Sequence, residues 1–107
     1  EIDPSNCDIH LGDLCEKGFQ LRPHIVWFGE AVPMMPEAEK IARQADIFVI
    51  IGTSMNVYPA AGLLHDVRKN VPVWLIDPKD VHTMRYDIQH IKKGASEGVK
   101  ELKKILL

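Results

Sequence analysis

A chain of 107 residues has room for one domain with one modest core, burying roughly two-thirds of the surface its unfolded form exposes. Apolar residues at 46%, charged residues at 26% and a net charge of -2 are ordinary for a globular protein, and they give no electrostatic basis for binding nucleic acid or an anionic membrane. No apolar run approaches the roughly 20 residues of a bilayer span and no leader is visible, so a cytoplasmic setting is expected.

The sequence opens on Glu1 rather than Met and reads as a piece of a longer protein. Residues 1–20 alternate weakly and could form a short strand or an excursion from the core. Cys7 and Cys15 are the only cysteines and do not make a Cys-x-x-Cys pair. Two free thiols in a reducing compartment are therefore favoured over a three-ligand site shared with His10. Arg22-Pro23 extends the backbone, and Ile25-Val26-Trp27-Phe28 then predicts a short buried strand closed by Gly29.

Pro36 suits a first helical position, with Glu37 and Glu39 in the turn where the helix dipole favours anions. Ala38, Ile41, Ala42 and Ala45 would form the buried stripe of that helix. Asp46 to Gly62 is the organising stretch. Ile47 to Ile51 predicts a strand covered on both faces, Gly52-Thr53-Ser54 a small polar turn, and Pro59 the start of a helix through Val67. Ala60, Leu63, Leu64 and Val67 give that second helix its apolar stripe.

Val73-Trp74-Leu75-Ile76 predicts a third strand ending at Asp77-Pro78, and a short one is expected around Tyr86–Ile91. Ala95 to Leu107 predicts a terminal helix with Val99, Leu102, Ile105 and Leu106 on its apolar face. Right-handed crossovers make the strands parallel neighbours with helices on the faces.

In such a sheet the loops 29–35, 52–58 and 77–81 crowd one edge, where open α/β sheets bind ligands. Gly52 permits close backbone approach, while Thr53 and Ser54 offer hydroxyls to phosphate or ribose oxygens. The same three residues would also serve as a plain tight turn, and spacing supports both equally. Asp77 could accept from a ribose diol or simply initiate a turn with Pro78. Val26, Phe28, Gly29 and Glu30 suit an extended peptide added as a strand, or else Val26 and Phe28 are core. None of the five histidines has the partnered setting of a general base.

Leu21-Arg22-Pro23-His24-Ile25-Val26-Trp27-Phe28-Gly29-Glu30 and Gly52-Thr53-Ser54-Met55-Asn56-Val57-Tyr58-Pro59-Ala60-Ala61 both resemble signature segments of the sirtuins. These are NAD-dependent protein lysine deacylases, and residues 20–107 resemble the carboxyl-terminal part of their catalytic domain. The resemblance implies a partial Rossmann-like α/β domain of the sirtuin/DHS type, a three-layer sandwich on a mostly parallel sheet. Residues 1–20 would be a remnant of the small zinc-module region or a linker, and 21–107 the carboxyl-terminal half of the NAD-binding domain.

It further implies that Gly52, Thr53, Ser54, Asp77 and Ala95 contact NAD, Ala95 near the adenine. Val26, Phe28, Gly29, Glu30 and Val57 would hold the acylated lysine and its peptide. The family transfers the acyl group from lysine to ADP-ribose and releases nicotinamide.

The sequence departs from the family in three ways. Asp77 and Lys79 stand where sirtuins usually carry Asn and Glu. Two cysteines replace the usual four zinc ligands, so no metal residue is assigned. The phosphate loop and the catalytic histidine belong to an amino-terminal half with no counterpart here, so no catalytic residue is expected in this chain and it should not turn over alone. A domain divided through its cleft would also expose apolar surface and invite self-association. A noncatalytic nucleotide-binding module and a peptide-interaction domain remain the alternatives.

Overall fold

The computed structural model describes residues 8–107. The expectation placed on Cys7 therefore lies outside the described residues. The chain divides into two compact units, Glu1–Ala31 and Val32–Leu107.

In the first unit, Leu14 and Gln20 form an isolated antiparallel bridge around a turn at Gly18, whose φ of 77° suits glycine. Gln20 does most of the fastening. Its amide oxygen accepts the Gly12 N–H at 2.8 Å, and its nitrogen donates to the His10 and Leu21 carbonyls at 2.9 and 3.1 Å. The predicted strand at Ile25–Phe28 is not formed. These residues run as coil into a turn at Phe28-Gly29, with Glu30 N–H donating to the Trp27 carbonyl at 3.1 Å. A strand needs a ladder partner, and among the described residues this segment has none. All four side chains are consequently exposed, Phe28 at 91%.

The second unit is a parallel three-stranded sheet with helices. Helix α1 spans Met35–Gln44, and strands β1, β2 and β3 span Phe48–Ile51, Val73–Ile76 and Ile88–Ile91. A 3-10 turn at Ala60–Gly62 runs into the short helix α2, Leu63–Asp66, and helix α3 spans Ala95–Leu106. The strand order is β1-β2-β3, with Ile50 beside Leu75 and Leu75 beside His90.

This order corrects the expectation for the organising strand. β1 lies at the sheet edge and β2 at its centre. All four residues of β2 are buried, whereas in β1 only Ile50 is. Strand alternation sends Val73, Leu75 and Ile50 toward one core with Ala42, Leu64 and Val67. Trp74 and Ile76 face a second core with Ile91 and Leu102. Val49 and Ile51 face that second side but stay exposed at 37% and 44%, at the sheet edge, while α3 packs on the central β2.

The helix stripes also come out narrower than predicted. In α1 Ala42 is buried and Ile41 is exposed at 64%. In the second helical segment Ala61, Leu64 and Val67 are buried while Ala60 is exposed. In α3 only Gly98 and Leu102 are buried, and Val99, Ile105 and Leu106 are exposed. Gly98 takes the central place because a Cβ there would overlap Ile76 Cγ2. A single sheet face contacts a strip only about one residue wide on a closely packed helix, which a 3.6-residue pattern overestimates.

The loop from Asp77 to Asp87 has no helix, yet it is anchored by Arg85. The guanidinium donates to the carbonyls of Val67, Arg68, Lys69 and Val71 at 2.9 to 3.4 Å and to Asp87 at 2.6 and 2.9 Å. It thereby satisfies the chain leaving α2, where backbone acceptors would otherwise lack partners.

Candidate functional site

At the carboxyl end of β1 the chain must turn sharply to clear its neighbour. Gly52 does so at φ 64°, its N–H still donating to the Ile76 carbonyl at 2.9 Å. Thr53 Oγ1 then accepts the Met55 N–H at 3.1 Å, which holds Met55 at φ 59° with its side chain packed on the first core. The Thr53 hydroxyl is thus committed to shaping the loop. Ser54 is left exposed at the tip.

At the carboxyl end of β2, Asp77 is half-buried and its Oδ1 accepts the Lys79 N–H at 2.8 Å. The carboxylate therefore does what a turn-forming Asp does, while Oδ2 remains available to a ligand. Both tips border one hollow of about 350 Å³ lined by Ser54, Asn56, Asp77, Lys79, Asp80 and His82, among others. That volume is at the small end for ligand sites, room for one portion of a dinucleotide. Lys92 pairs with Asp80 at 2.5 Å and, with His90 and His82 adding to it, holds the Asp80 carboxyl below its usual range.

The hollow unites Ser54 and Asp77, as the loop argument expects. Gly52, Thr53 and Ala95 do not border it; Thr53 and Val57 border a separate apolar hollow along β1, and Ala95 is the exposed first residue of α3. Asn56 and Asp80 lie within the loops 52–58 and 77–81 expected at this edge but were not singled out there, and His82 falls in 79–90, a polar stretch without periodicity. Asp80, three residues beyond Asp77, was the available signal. A larger hollow, about 520 Å³, sits around Arg85, Tyr86 and Leu64 near the amino end of β2. Ligand sites of open α/β sheets form at the opposite, carboxyl edge, so the smaller hollow is the functional candidate.

In the first unit, Val26 and Phe28 are exposed and Gly29 adopts φ 86°. Arg22 braces the segment, donating to the Ile25 carbonyl at 3.3 Å and to both Glu30 oxygens at 3.2 and 3.3 Å. Glu30 also accepts the Trp27 N–H at 3.1 Å. That backbone bond first, then Arg22, holds the Glu30 carboxyl below its ordinary range. Since the folded value is depressed, the brace is intact above the unfolded pKa and is lost as pH falls through the folded one. An NMR titration should find Glu30 titrating low, and Arg22→Ala should move it back up; an unmoved midpoint would remove Arg22 from the brace.

Among the described residues, no three His, Cys, Asp or Glu side chains converge as a metal site. The Leu14–Gln20 turn is closed by hydrogen bonds of Gln20, and Cys15 is a free thiol.

Comparison with known proteins finds a match of residues 3–59 to the Sir2 family. The NAD-dependent protein deacylase of Bacteroides thetaiotaomicron is 57% identical over 109 residues, covering 100% of this chain and 46% of that protein. The NAD-dependent protein deacylase of Helicobacter pylori is 44% identical over 96 residues, covering 89% and 42%. Among solved structures, a Sir2 homologue bound to ADP-ribose superposes with TM-score 0.74 at 30% identity, over 92% of this chain and 43% of that one. A Sir2 homolog–NAD complex gives 0.69 at 33% identity, over 89% and 40%. Sir2Tm bound to a propionylated peptide gives 0.71 at 26% identity, over 87% and 41%. The chain thus spans less than half the length of these relatives.

Proposed function

Since the chain belongs to the Sir2 family, we propose that the protein it forms part of is an NAD-dependent protein lysine deacylase working in the cytoplasm. The observation that carries this reading is the meeting of Ser54 and Asp77 at one hollow on the carboxyl edge of a parallel sheet. When bound, NAD would supply the ribose carbon that the acyl oxygen attacks as nicotinamide leaves, the acyl group ending on a ribose oxygen of ADP-ribose. This chain supplies positioning: Ser54 donates to an oxygen of the nucleotide, and Asp77 accepts from a ribose hydroxyl. Gly52 and Thr53 shape the loop that presents Ser54, and Ala95 completes the assignment on the adenine side.

In the first unit, Val26, Phe28 and Gly29 are assigned to the acylated-lysine peptide, Val26 and Phe28 with exposed apolar side chains. Glu30 serves the peptide through Arg22 and the Trp27 amide, by holding the Phe28-Gly29 turn in shape. No residue of this chain is assigned the proton transfer, and the chain by itself is inactive. Full-length protein carrying Asp77→Ala should bind NAD more weakly by roughly 1.5–3 kcal/mol, about tenfold to 150-fold in dissociation constant by calorimetry. An unchanged constant removes Asp77 from the nucleotide site.

A noncatalytic nucleotide-binding module is the second reading, permitted by Asp77 and Lys79 standing where sirtuins usually carry Asn and Glu. It requires that the full-length protein bind NAD without consuming it beside an acetyl-lysine peptide.

A further inference from the structure

We infer that His90 is a positioning residue for this hollow, holding the tip of β2 so that the Asp77 carboxylate faces the ligand; the inference rests on the nucleotide reading above. Pairing between β2 and β3 runs out at Ile76 and Ile91. The Asp77 N–H still reaches the Ile91 carbonyl, at a long 3.3 Å. The next bond of a parallel ladder would bring the Lys93 N–H to the Asp77 carbonyl. That N–H instead turns back on the Ile91 carbonyl at 2.8 Å, and Pro78 has no N–H to prolong the strand. The Asp77 carbonyl would be left without its ladder partner.

His90 takes the vacant place. Its Nε2 lies 2.8 Å from the Asp77 oxygen, and since a carbonyl only accepts, Nε2 carries the proton. Neutral and protonated imidazole both offer that donor, so the bond does not depend on the charge of the ring. The backbone of Asp77 is thus held on both sides, its N–H by the Ile91 carbonyl and its C=O by His90, and its side chain is held by the Lys79 amide. Of the three contacts, the His90 bond is the only one made by a side chain from another strand.

The test uses the full-length protein and two readouts. Without NAD, His90→Ala should speed hydrogen exchange at the Lys79 amide, whose acceptor is the Asp77 carboxylate. With NAD, His90→Ala should raise KM for NAD about three- to tenfold, the equivalent of one hydrogen bond, and leave kcat at saturating NAD unchanged. His90→Gln, which keeps a donor, should recover most of that loss. In an Asp77→Ala background, His90→Ala should add nothing. Unchanged exchange at Lys79, or the same loss of affinity with and without Asp77, overturns the role of His90. Faster exchange with NAD affinity unchanged in both Asp77→Ala and His90→Ala overturns the nucleotide reading of the hollow instead.

Discussion

Ile76→Ala is expected to lower folding stability by about 2–5 kcal/mol, measured by denaturant unfolding of the full-length protein. Ile76 is fully buried at the centre of the sheet, and its branched side chain fills the second core with Trp74, Ile91 and Leu102. Gly98 sits directly over it, with no room for a Cβ against Ile76 Cγ2. Gly98→Ala alone should therefore cost about 1–3 kcal/mol by overpacking, offset in part by the roughly 1 kcal/mol that Ala gains over Gly inside a helix. The two changes should not add. Once Ile76 is truncated, the atom that a Gly98 Cβ would strike is gone, so the second substitution should become neutral or mildly stabilising. Strict additivity would mean that α3 does not rest on β2 through this pair.

Arg85→Ala should cost roughly 2–4 kcal/mol, because a single guanidinium satisfies four backbone carbonyls and removing it strands several at once. The Arg85 side chain is only 15% exposed, and the Val67 and Val71 carbonyls it serves belong to buried residues. Its planar fork lets it address carbonyls from Val67 to Val71 together. Arg85→Lys should restore little, since an ammonium on one nitrogen cannot span that spread. Full rescue by Lys would show that charge, and not the fan of donors, is what matters. Asp87, which pairs with Arg85 and raises its pKa, is more than half exposed, so its loss should be the smaller of the two.

The same placement logic bears on the site. Arg85 pins the end of the 77–87 loop near β3, and His90 pins its beginning at Asp77. Between them, Asp80 and His82 are carried to the hollow without any regular structure of their own. A loop with two fixed ends can present side chains reproducibly, which suits a site that must orient a ligand.

Much of this was legible in the letters. The strand at Val73–Ile76 has the bounds that its apolar run predicts, and the helix at Ala95–Leu106 is predicted to within one residue. Parallel pairing of the strands follows from the alternation of strand and helix, and the resemblance of residues 21–30 and 52–61 named the family that the comparisons establish. Local chemistry suffices for these, because backbone hydrogen bonding, side-chain branching and turn residues act over a few positions.

What the letters could not decide is which face of each element finds a neighbour. Ile25–Phe28 and Ile47–Ile51 are both short apolar runs, yet one is coil and the other an edge strand with one side open. An apolar run records only that its surface prefers cover; whether cover arrives depends on residues far away in sequence. For the same reason Arg85 and His90 looked like ordinary polar residues. Each acts on backbone carbonyls 13 to 18 positions away, a relation that only the tertiary structure creates.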